Sequence, residues 1–218
     1  MNTNRRGGVR QPEVTRRRII EAAGELFSKR GFNGVGFRDI AKKAGVSLQM
    51  PTHHFATKKR LFAECIRYAL LEHMDFSGQF ADEPRFANAR EARRALAEKI
   101  RICFFAVHPP SGKTSWYGAI LGRALTENLG DGLRAFQDGL RPAREWFFAA
   151  LKGLYPRLTR KDFVLWYASL WAQVSFHVTG RAAIVALLGK RRYDRTFLKA
   201  VSEQLVRMML RQLDDRRS

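Results

Sequence analysis

The run Ala44-Gly45-Val46-Ser47, set between two short stretches of helical spacing, constrains this chain more than any other feature. Upstream, Ile40, Ala41 and Ala44 recur at helical intervals and give residues 37–44 an apolar face. Ala41 is small enough for a second helix to cross closely over it. Gly45 stands at a sharp turn, in a left-handed conformation that glycine adopts at low cost. Val46 fills the gap between the helices, and Ser47 is predicted to N-cap the next one through its hydroxyl. A small residue, glycine four positions on, then a capping residue is the sequence form of a helix-turn-helix, whose second helix reads a DNA major groove. An ordinary helical hairpin is the plainer alternative for this segment taken alone.

The flanks favour the first reading. Thr15 is predicted to cap a helix carrying Ile19, Ile20, Ala22, Ala23, Leu26 and Phe27, one broad apolar stripe at helical period. Gly31 ends that helix, Phe32 and Phe37 supply aromatic bulk, and Phe55 closes a three-helix core before a further helix from Lys59. Thr15 to Phe27, Arg30-Gly31-Phe32, Arg38-Asp39-Ile40-Ala41, Ala44-Gly45-Val46-Ser47 and Phe55 to Lys58 together resemble the tetracycline-repressor (TetR) family of bacterial transcription regulators.

That resemblance implies a homodimeric regulator with a helical DNA-binding domain and a larger helical domain that takes a small-molecule effector. By position it assigns DNA contacts to Arg38, Ser47, Leu48, Gln49, Met50, Thr52, His53 and Lys58. Arg38 and Lys58 suit phosphate, because they neutralise backbone charge without reading sequence. Gln49 suits an adenine edge, and Leu48 or Met50 a thymine methyl, with a core position the alternative for Met50. Three departures stand out. Thr52 occupies the place of a phosphate-gripping tyrosine, and Gly36 that of a hydroxyl cap. Pro51 falls at about the fourth position of the reading helix, where it is predicted to remove a hydrogen bond.

Charge agrees with a polyanionic partner. The formal net charge is +20, and residues 1–62 hold fourteen cations against four acids, so half the excess sits in under a third of the chain. Arg16, Arg17 and Arg18 fall in the first turn of the predicted helix, where its dipole disfavours cations; a phosphate laid there would explain them, a solvated charged face being the alternative. Residues 1–12 read as a flexible basic arm, and no apolar stretch follows its arginines as a secretory signal requires. Cys65 and Cys103 form neither a disulfide framework nor a zinc spacing, so a reducing cytoplasm is the natural setting.

The rest of the chain shows no period-two alternation and no repeat, and an all-α protein is expected. Its domains are a basic arm (1–12), a three-helix helix-turn-helix domain (13–60) and a larger C-terminal helical ligand-binding and dimerisation domain (61–218). Helical patterns cover Lys59 to about Asp75, where one helix joins the domains, then 92–107, 116–129, 133–154, 160–178, 181–188 and a final helix capped by Asp194 and running to about Asp214. Breaks are predicted at 108–114, at 130–132 and at Pro156, and Pro142 should kink or split its pattern. Residues 163–178 are apolar almost all round but too short for a membrane span. Paired with the last helix across a two-fold axis, they make a four-helix dimer seam, which sets two reading heads about one DNA turn apart on a palindromic operator. Phe104, Trp116, Tyr117, Trp146, Trp166, Gln173 and His177 are candidates to line an effector pocket, ordinary core packing being the alternative.

Enzyme readings fail on spacing. Gly112-Lys113-Thr114 lacks the earlier glycine of a phosphate loop, that position being Val107. His53 and His54 have no carboxylate or cysteine at metal spacing, no nucleophile stands beside a recognisable base, and no cofactor is expected. An architectural DNA-binding protein without an effector shares the arm, the helix-turn-helix and the seam, and stays open as the rival reading; a helical protein–protein adaptor is the remoter one.

Overall fold

The computed structural model describes residues 10–111, 115–127 and 129–214, and every regular element among them is helical. The N-terminal head comprises α1 (Arg10–Arg30), α2 (Phe37–Ala44) and α3 (Gln49–Phe55). Next come α4 (Lys58–Arg67), a π-helical extension (Tyr68–His73) and a one-turn helix α5 (Phe76–Gln79). The body is completed by α6 (Ala89–Val107), α7 (Trp116–Thr126), α8 (Gly130–Gly139), α9 (Arg141–Leu154), α10 (Arg160–Thr179), α11 (Arg181–Leu187) and α12 (Arg195–Asp214).

Several element boundaries depart from the sequence reading, each for an identifiable reason. Helix α1 begins at Arg10, not after Thr15. Pro12 lies in its first turn, where a missing N–H costs nothing, and Glu13 meets the positive end of the dipole. Three residues assigned to the basic arm are therefore helical, while residues 1–9 of the arm lie outside the described residues, as do Gly112, Lys113 and Thr114. Gly130 and Gly132 belong to α8 instead of breaking it. A Cβ on Gly132 would stand 2.8 Å from the Phe62 ring, so this glycine lets α8 pack closely on α4. Pro142 splits its pattern as expected: α8 ends at Gly139 and α9 starts with the proline in its first turn.

The connecting helix is not uniformly α. Over Tyr68–His73 it widens to a π-helix, and Met74 N–H closes it on Ala69 C=O at 3.0 Å. Such wide turns mark functional positions in many helices. Downstream caps follow the sequence: Thr159 and Asp162 form a capping box on α10, and Asp194 accepts from Phe197 N–H at 2.7 Å at the start of α12.

One continuous apolar core runs from the head into the body. Where the head meets α4, Phe27, Phe32 and Phe62 form an aromatic triangle with centroid separations of 5.2–5.9 Å. In the body, α10 buries Phe163, Trp166, Leu170, Trp171 and Val174 and leaves Val164, Leu165 and Phe176 more than half exposed on its outer side. Trp166 ties α10 to α12 by donating to Met209 C=O at 2.9 Å. Cys65 and Cys103 are buried free thiols. Among the described residues no helix is long and apolar enough to cross a membrane.

Candidate nucleic-acid interface

The turn between α2 and α3 is a Schellman arrangement. Gly45 sits at φ +63°, ψ +43°, its N–H reaches Lys42 C=O at 3.3 Å, and Val46 N–H reaches Ala41 C=O at 3.1 Å. Arg18 completes it from α1, donating to Ala44 C=O at 2.7 Å and Gly45 C=O at 3.3 Å. Three interactions thus fix the angle between the helices. At the other end of α2, Asp39 accepts from Gly36 N–H at 2.9 Å, supplying from inside the helix an N-terminal lock that Gly36, lacking a hydroxyl, cannot provide.

The start of α3 differs from expectation. Leu48, not Ser47, occupies the N-cap, with no side-chain cap bond. Ser47 contributes its carbonyl, which accepts from Met50 N–H at 3.1 Å. Pro51 is then the third helical residue, within the first turn, where its lack of an N–H removes no helical bond; it is buried. Phe55 anchors the far end in the core. The helix therefore presents Leu48, Gln49, Thr52 and His53 outward, with Ser47 and Arg38 exposed beside them. Leu48 is 51 % exposed. Met50 instead turns toward the head core, the second of its two expected positions. The N-terminal turn of α1 flanks this surface, since Pro12, Thr15, Ser47, Gln49, Met50 and His53 line one shallow groove with His54.

The basic residues divide into two groups. Arg16, Arg17 and Arg18 do not lie at a helix start, so the expected phosphate at that start has no basis. Each has a partner: Arg16 pairs with Glu64, Arg17 approaches Glu21 at 3.9 Å, and Arg18 caps α2. Lys58 also turns inward. Its Nζ donates to Phe32 C=O at 3.1 Å and Val35 C=O at 3.0 Å and lies 4.3 Å from the Phe32 ring centroid, so its backbone-phosphate assignment gives way to a clamp on the α1–α2 loop. Arg38, Lys42, Lys59 and Arg60 remain exposed.

The head is seated on the body by α1 and α7. Glu21 accepts from Tyr68 Oη at 2.8 Å, Trp116 Nε1 at 3.2 Å and Tyr117 Oη at 3.3 Å. Burial, then the Glu21 charge, pushes the Tyr117 hydroxyl up to about 12, so it stays a donor. His73, at the end of the π-helix, stacks on Tyr117 with centroids 3.5 Å apart, and burial lowers its pKa. Gly24 makes room for Trp116: a Cβ there would lie 2.2 Å from the indole. At the other end of α7, Glu127 accepts from Phe32 N–H at 2.8 Å. Sequence periodicity carries no sign of this junction, because Glu21 lies on the apolar helix's flank and its partners are some fifty to a hundred residues distant.

The seven residues expected to line a pocket do not share a cavity. Trp116 and Tyr117 belong to the junction. Trp146 donates to Asp82 at 3.2 Å, Trp166 to Met209, and Phe104 is fully buried in the core. Gln173 is exposed on the outer side of α10. His177 borders a hollow of ≈ 80 Å³ shared with His108, Ser115 and Arg181. His108 is held down to about 4 by burial, against its bond to Val174 C=O at 2.9 Å. Phe104, Trp146 and Trp166 serve packing between helices, the alternative expected for them. Among the described residues no group of three metal-ligating side chains occurs.

Residues 19–65 match the sequence profile of the bacterial regulatory proteins, tetR family. The chain is 31% identical to the HTH-type transcriptional repressor NicS of Pseudomonas putida over 135 residues, which is 60% of this chain and 57% of that protein. It is 28% identical to the HTH-type transcriptional regulator BetI of Rhizobium meliloti over 68% of this chain and 80% of that one. The fold is similar to that of AibR, solved with isovaleryl coenzyme A and operator DNA, at a TM-score of 0.64 and 16% identity over 89% of this chain and 97% of that one. Profile and turn geometry agree that residues 19–65 are a helix-turn-helix segment similar to those of the tetR family of bacterial regulatory proteins, and the fold is similar to that of AibR.

Proposed function

We propose that this protein is a homodimeric, ligand-responsive transcriptional repressor that recognises a palindromic operator and acts by binding, not catalysis. The observation that carries the reading is the outward row Leu48, Gln49, Thr52 and His53 on a helix whose pitch is fixed by the Gly45 turn, Arg18 and Phe55. Exposed residues at the N-terminal end of such a helix are the ones that reach base edges. NicS, by its name a repressor, and AibR, solved with both an acyl coenzyme A and operator DNA, support the extension from binding to regulation. The exposed apolar row Val164, Leu165 and Phe176 on α10, with Met208 on α12, supports a two-fold seam.

The junction supplies a route for regulation. An effector that shifts α7 or the π-helical extension displaces Trp116, Tyr117 or Tyr68, all of which hold Glu21 of the head. The distance between two reading heads then changes, and effector and operator weaken each other's binding by the same factor. Selection of bound fragments from random duplexes, followed by titration at several salt concentrations, tests the first half. A regulator yields one palindrome preferred by about 10³-fold or more over nonspecific duplex. A steep salt dependence without preference would instead identify an architectural DNA-binding protein. Once an effector is found, equal effector affinity with and without operator would overturn the coupling.

A further inference from the structure

We propose that the cleft between the head and the body is a binding site for a small phosphorylated anion, sharing only His53 with the operator-reading row. The cleft has a volume of ≈ 540 Å³, a size typical of small-molecule sites. Four guanidinium groups line it from three elements: Arg16 on α1, Arg60 and Arg67 on α4, and Arg134 on α8. Glu64 is engaged by Arg16 and, at 2.7 Å, by Arg67, so its charge is already compensated. Arg60 and Arg134 are exposed and have no ion pair among the described residues. The cleft wall also holds a buried His54 Nε2 without a hydrogen-bond partner.

Buried polar nitrogens are rarely left unmatched, and a molecule held in the hollow would reach this one. Guanidinium forks suit phosphate oxygens because two parallel N–H groups meet two oxygens of one group. A hollow of this size admits a small molecule and not a duplex. The assigned source is therefore a free phosphorylated molecule instead of the DNA backbone. Because Arg60 rides on α4 and Arg134 on α8, a bound anion would brace these two helices against each other.

Isothermal titration of the full chain with pyrophosphate, in phosphate-free buffer at physiological ionic strength, tests it. One site per chain is expected. Arg60→Ala and Arg134→Ala should each weaken binding by about tenfold or more, and Arg134→Lys should recover part of the loss. Arg191→Ala, which removes an exposed charge far along the chain, should leave it unchanged. Absence of binding overturns the proposal. So does equal weakening by Arg191→Ala, which would mark diffuse attraction to a cationic chain, or indifference to Arg60→Ala and Arg134→Ala. In a second arm, duplex binding is measured against salt without pyrophosphate. A slope reduced by about one ion in Arg134→Ala would place the cleft in the DNA footprint and overturn the separate site; an unchanged slope supports it.

Discussion

Helix propensity and packing give opposite signs for Gly24→Ala. In a helix interior the exchange favours alanine by about 0.5–1 kcal/mol. At residue 24 the added methyl would lie 2.2–2.5 Å from three carbons of the Trp116 indole. That ring is a rigid plate, tied to Glu21 at 3.2 Å and stacked on Tyr68 with an interplanar angle of 9°. Moving it costs about 1–3 kcal/mol of overpacking, and breaking a hydrogen bond to a charged acceptor adds about 1.5–3 kcal/mol. After the propensity gain, a net destabilisation of about 2 kcal/mol or more remains. For a chain of this length that lowers Tm by about 4–8 °C. Thermal denaturation at fixed chain concentration reads it directly. In a Trp116→Ala background the obstacle is gone, and Gly24→Ala should stabilise by about 0.5–1 kcal/mol. A higher Tm for Gly24→Ala in the otherwise native chain would refute the seating of α1 on α7.

Four further substitutions separate structural from reading residues. Ala56 ends α3 at φ +58°, ψ −50°, in a γ-turn closed by Thr57 N–H on Phe55 C=O at 2.6 Å; Ala56→Gly should stabilise by about 1 kcal/mol, and a lower urea midpoint would contradict the strain. Lys58→Ala removes two charge-assisted bonds from a half-buried site and should cost about 1–2 kcal/mol while leaving the salt slope of DNA binding unaltered; a flatter slope would restore its phosphate assignment. Gln49→Ala should relax base preference at one operator position, whereas Arg38→Ala should weaken all duplexes alike and reduce the slope by about one ion; fluorescence anisotropy with point-varied operators distinguishes them, and an unchanged preference in Gln49→Ala would mean another residue reads that base.

What the residues reveal before folding depends on range. The Gly45 turn, the Phe27 stripe and the Thr159 and Asp194 caps rest on neighbours within a few positions, so spacing alone exposes them. Thr15 and Ser47 misled because a capping residue is indistinguishable in sequence from the same residue one turn inside or just outside a helix. Pro12 carried the relevant signal for the start of α1. Lys58, Arg16 and Arg18 were misassigned because a cation bonded to a distant carbonyl or carboxylate looks like one awaiting phosphate. The candidate pocket residues share this ambiguity: aromatic periodicity records burial, and burial in an all-helical body is mostly packing between helices.

The snug fit of Gly24 against Trp116 bears on how such proteins can be recombined. Exchanging the first sixty residues for those of a relative transplants one half of a lock without its key: a larger residue at position 24 meets the resident indole, while a smaller one at position 116 leaves a void. Functional chimeras should therefore carry both positions, with Glu21, as a unit, and the cut that respects residue boundaries in sequence is not the cut that respects the joint.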